Sequence, residues 1–146
     1  MQTSFYILLA LLMGATLSIY LPMNSAVSRY IGSPITANVT FFLVALIASI
    51  LIFIVWGEFD TIRNIKEVPL WLYLTGIISA FMILGTTFLI PIIGARKFFI
   101  LTISGQILMA MIVSHFGLLG SPYDMISIKK VLGAVFIVLG AIISTF

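Results

Sequence analysis

The 146-residue sequence contains no cysteine and one histidine, and its seven Lys or Arg and four Asp or Glu make up only 8% of the chain. Each scarcity excludes something. Without cysteine there is no disulfide frame and no thiolate metal site. With His115 alone, no multi-histidine metal centre forms within one chain, and neither a metal nor any other cofactor is expected. A soluble domain carries about a quarter charged residues, so this composition cannot build a water-facing surface. The basic residues are dispersed rather than clustered, which argues against a nucleic-acid partner. No Ser-His-Asp set, glycine-rich phosphate loop or metal-ligand pair can be assembled, so the chain is not expected to be an enzyme.

Hydrophobic residues fill 62% of the chain, and the mean hydropathy is +1.31. They fall into continuous runs, and about 20 apolar residues suffice for a helix to cross a bilayer. A membrane β-barrel would need short segments of alternating polarity, which are missing. The fold class is therefore all-α: a polytopic integral membrane protein with five transmembrane helices forming a single domain over residues 1–146. The expected spans are 4–21, closed by Pro22; 35–56, opened by Gly32-Ser33-Pro34; 70–90, broken by Pro91 and Gly94; 98–116; and 125–146. Met1-Gln2-Thr3-Ser4 is uncharged in its side chains and precedes a span-length run, so the first helix reads as retained rather than as a cleaved signal peptide. The segment 57–69 holds Glu58, Asp60, Arg63, Lys66 and Glu67 and is the most water-like part of the chain. Short connectors make spans three and four, and spans four and five, antiparallel neighbours.

Orientation in the membrane follows Lys and Arg in short loops. One side would hold Arg29, Arg96 and Lys97, and the other Arg63, Lys66, Lys129 and Lys130, three against four. So weak a bias permits insertion both ways. Two copies in opposite orientation would then form an antiparallel homodimer with the symmetry that many transporters encode as inverted repeats. One fixed orientation, with a parallel oligomer or none, is the other reading.

Polar residues inside the spans are the candidates for function. Thr102, Gln106, Ala110 and Ser114 recur every four residues in span four. Gln106 has two donors and an acceptor oxygen at mid-membrane depth, which serve either to bond a neighbouring helix or to line a substrate path. Thr36, Asn38 and Thr40 concentrate polarity at the start of span two. Asn24 caps a helix end or touches a ligand. Ala10, Gly14 and Ser18, Gly76 and Ala80, and Gly133 and Gly140 mark close helix packing. No Asp or Glu lies within a span, Asp124 in the last loop being nearest, which disfavours a carboxylate-driven cation exchanger. His115 reads as an interfacial residue at the end of span four.

Asn24 followed by Gly32-Ser33-Pro34, then Pro91-Ile92-Ile93-Gly94, Gly105-Gln106, His115-Phe116-Gly117, and Gly133 with Gly140 occur in this order along the chain. In this pattern the whole chain resembles the YdcZ-like branch of the drug/metabolite transporter superfamily. The resemblance implies a five-helix half of an inverted-repeat transporter in a bacterial inner membrane, paired with itself or with a sister five-helix chain. It implies pocket or helix-crossing roles for Asn24 and Gln106. Members often carry an acid immediately before His-Phe-Gly, where this chain has Ser114.

The expectation is a small transporter in contact with the lipid bilayer. It would move a small polar or amphipathic metabolite by alternating access, with Gln106, Thr102, Asn38, Thr36 and Asn24 binding the small-molecule substrate. The alternative is a membrane scaffold or accessory subunit that transports nothing. A channel ranks below both, since no ring of like charges or filter-like sequence is visible.

Overall fold

A computed structural model describes residues 2–145; Met1 and the expected end of span five at Phe146 lie outside the described residues. Five helices are long and apolar enough to cross a membrane. They are α1 (Gln2–Ile31), α2 (Pro34–Trp56), α3 (Leu74–Ile93), α4 (Ala95–His115) and α5 (Ile128–Thr145). No strand occurs among the described residues. Large apolar side chains such as Phe5, Leu11, Val44, Phe81 and Phe136 are exposed, as expected where the surrounding solvent is hydrocarbon. Most of what is buried is small or polar: Ala37, Ala134, Ala141, Asn24, Ser25, Ser28, Thr86 and Thr87 are enclosed, alongside the larger Leu21, Ile90 and Phe98. Lipid tails are as apolar as leucine, so helices gain from close approach and hydrogen bonds rather than from hiding oil.

The chain divides into two compact units, Met1–Ile92 and Ile93–Phe146. In the first, α1 and α2 pack as a hairpin. Gly32 turns the chain with φ +81°, and its N–H donates to the Ser28 carbonyl at 2.9 Å. Ser33 then caps α2: its Oγ accepts from the Thr36 N–H at 3.3 Å, with Pro34 in the first turn, where a missing N–H costs nothing. Ser33→Ala should destabilise the hairpin by about 1 kcal/mol, measured by unfolding in detergent; unaltered stability would show that the cap is idle. Between α2 and α3, the charged connector forms an exposed 3-10 turn at Phe59–Glu67, and the Tyr73 hydroxyl donates to the Ile65 carbonyl at 2.9 Å.

In the second unit, α4 and α5 are antiparallel neighbours, as their short connector implies. The start of α4 meets the end of α5 where the Arg96 guanidinium donates to Ser144 Oγ at 3.5 Å. At the other end, the Ile126 N–H donates to His115 Nδ1 at 3.2 Å.

Two prolines behave differently from expectation. α1 runs through Pro22 to Ile31, and α3 runs through Pro91 to Ile93. Breaking a helix in water exposes backbone groups that water can satisfy. In hydrocarbon the same break leaves them unpaired, so the chain tolerates one missing N–H and continues. Asn24 consequently sits within a helix and caps none. Only Gly94, at φ +82° and ψ 148°, separates α3 from α4. Arg96 and Lys97 therefore lie in the first turn of α4, and α5 begins at Ile128 rather than at 125.

Candidate functional site

The site in the first unit starts from Pro91. Proline has no N–H, so the carbonyl four residues earlier, that of Thr87, loses its helical partner. Thr87 is 0% exposed, and an orphaned carbonyl there needs a donor from elsewhere. Ser25 Oγ on α1 donates to it at 3.4 Å. The neighbouring Asn24 Nδ2 donates to Thr87 Oγ1 at 2.8 Å, and that hydroxyl in turn donates to the Ile83 carbonyl at 2.8 Å. Leu21, Asn24, Ser25 and Ser28 form the buried stripe of α1, while Thr86, Thr87 and Ile90 are buried on α3. Both sets have helical spacing, so a polar face of α1 meets a polar face of α3.

Asn24 also opens the other way. With Tyr20, Met23 and Val27 on α1, and Thr40, Phe41 and Val44 on α2, it lines a groove of about 460 Å³. The Tyr20 and Phe41 rings stack there with centroids 6.1 Å apart and planes 18° from parallel. Thr40 Oγ1 donates to the Ala37 carbonyl at 2.9 Å, so a lone pair is left for another donor. The Asn24 carbonyl oxygen has no protein donor among the described residues. The groove therefore offers a stacked aromatic pair, apolar neighbours and a few fixed polar atoms, the usual make-up of a small-molecule site.

The other sequence-derived residues scatter. Asn38 is half-buried, and its Oδ1 is buried without a hydrogen-bond partner. Thr36 is exposed and contributes its N–H to the Ser33 cap. In the second unit, Thr102 is half-buried with its hydroxyl bonded to the Phe98 carbonyl of its own helix. Gln106 is exposed and has no protein partner among the described residues. Ala110 and Ser114, from the same stripe, line a smaller cavity against the start of α5. Sequence reasoning passed over Thr87, although Pro91 four residues on was the available signal. It also gave no role to Tyr20 and Phe41, which are two aromatics among many until α1 and α2 are set side by side.

Comparison with known protein families matches residues 5–143 to the family described as "Putative inner membrane exporter, YdcZ". No curated protein and no solved structure matches the chain. With almost its whole length matched and five helices able to span a bilayer, the chain belongs to this family and is a multi-pass membrane transporter.

Proposed function

We propose that the chain is one half of an inner-membrane exporter for a small ring-bearing amphipathic metabolite, working by alternating access as an inverted homodimer. The observation that carries the substrate class is the groove between α1 and α2, where stacked Tyr20 and Phe41 adjoin the free carbonyl oxygen of Asn24. A ring slots between apolar and aromatic walls, and a donor on the substrate meets Asn24. Screening small ring-bearing polar compounds against the purified chain for thermal stabilisation identifies the ligand, because selective binding to the folded state raises stability. Export of the best stabiliser is then followed in inverted vesicles. A compound that stabilises the chain but is never moved would favour the scaffold reading.

Support for the pairing comes from Gln106 and from the charges. An exposed amide in a span cannot be satisfied by lipid tails, and a second copy is one source of the partner it needs. The three-against-four Lys and Arg distribution leaves an inverted second copy free to form. In a two-fold pair, a residue on the axis meets its own mate. Phe99 and Val113 lie seven residues either side of Gln106 on nearly the same face of α4, roughly 21 Å apart along the axis.

The native chain has no thiols, so single cysteines report cleanly. In an inverted pair, a Phe99→Cys copy should cross-link to a Val113→Cys copy, while neither variant cross-links to itself. Self-cross-linking of each variant would instead show a parallel pair.

A further inference from the structure

The inference concerns the second unit alone and is independent of the α1–α2 groove. Among the described residues, Asp124 and Lys130 form an ion pair, with side chains 63% and 37% exposed respectively. With Ser114 they line a cavity of about 230 Å³, whose remaining wall is apolar and includes Ala110, Met111 and Ile126. The pair is not saturated. Lys130 Nζ donates to Asp124 Oδ1 and to the Met125 carbonyl, which leaves one of its three N–H groups free. Asp124 Oδ2 has no donor among the described residues. A free cationic donor thus stands beside a free anionic acceptor.

The cavity does not stand alone. Met111 and Ile126 also line an almost wholly apolar groove of about 540 Å³ between α4 and α5, with Leu108, Ile112, Val131 and Val138. Ile126, shared by both spaces, is held in place by the His115 Nδ1 hydrogen bond to its backbone N–H. Asp124 is held likewise, its N–H donating to the Ser114 carbonyl at 2.9 Å. A charged pocket that shares Met111 and Ile126 with an apolar groove between two spans has the complementarity of an amphiphile that carries both charges on its head.

We propose that this unit binds one zwitterionic glycerophospholipid with a primary-ammonium head group. The ammonium sits on Asp124, the phosphate on Lys130, and an acyl chain in the α4–α5 groove. Ammonium N–H donors on a carboxylate and a lysine on a phosphate are charge-assisted hydrogen bonds, stronger than neutral ones. The position suits the ligand, since Lys130 lies in the first turn of α5, where a spanning helix meets the head-group layer.

The test compares lipids of identical acyl chains on the purified full-length chain, read by native mass spectrometry and by thermal stability. Phosphatidylethanolamine should be retained roughly tenfold more strongly than phosphatidylcholine, whose trimethylammonium keeps the charge but has no N–H to donate. Asp124→Ala should bring the two to parity, and Lys130→Gln should weaken retention of both. The head-group comparison on the unaltered chain needs no variant and stands even if a variant misfolds. Equal retention of the two lipids, or preference for phosphatidylglycerol, overturns the proposal. Equally strong binding of glycerophosphoethanolamine, which has the head but no acyl chains, would replace the lipid with a soluble zwitterion and overturn it as well.

Discussion

Asn24→Leu should reduce transport at least about tenfold, the effect of losing one substrate hydrogen bond in a desolvated site. The substitution removes a polar side chain that lines the α1–α2 groove and also the amide that bonds Thr87, so one variant cannot separate binding from packing. Thr87→Val separates them. It removes only the hydroxyl beneath Asn24, leaves the groove lining in place, and should cost about 1 kcal/mol of stability, the scale of an interhelical hydrogen bond in lipid. Transport by Thr87→Val should therefore fall less than by Asn24→Leu, although their stabilities are similar. Rates are measured in inverted vesicles at matched protein levels, and unfolding in detergent. Full activity of Asn24→Leu would remove the groove from the transport path; equal losses would make Asn24 a packing residue.

Gly94→Ala adds a single methyl group and should nevertheless cost about 1–3 kcal/mol of stability. The residue lies at φ +82° and ψ 148°, a conformation open essentially to glycine alone. A Cβ added there would meet nothing within 4 Å, so the whole cost is backbone strain with no clash to confuse it. Gly76→Ala provides the contrast. That glycine lies inside α3, a Cβ there also meets open space, and alanine is the better helix former by about 1 kcal/mol. One glycine-to-alanine change should thus destabilise and the other should not, as read by unfolding in detergent. If Gly94→Ala unfolds like the unaltered chain, the α3–α4 turn does not require the left-handed geometry.

Much of the fold was legible because membrane spans are written in length and polarity. The five runs, the charged segment at 57–69, and the antiparallel pairing of spans four and five all follow from residues close together in the sequence. The proline signals misled for a definite reason. Rules for where helices end describe chains in water, and Pro22 and Pro91 sit where hydrocarbon makes the alternative to a continuous helix worse. The functional residues were only partly legible. Asn24 stood out as polar, but its partner Thr87 is 63 positions away. Gln106 stood out for the same reason, yet its exposure depends on which face of α4 its own chain covers.

Composition therefore determined the environment, and the lengths of the apolar runs the number of crossings, because the cost of placing charge or unpaired backbone in lipid is large and does not depend on the arrangement of the helices. Tertiary structure decided which polar groups meet. The carbonyl freed by Pro91 finds Ser25, Asn24 bonds Thr87 while lining a groove, and Asp124, loop-bound in the sequence, returns to the end of α4 beside Lys130. These pairings are worth about 1 kcal/mol each, too little to leave a mark on the pattern of the sequence and enough to choose one face of a helix over another.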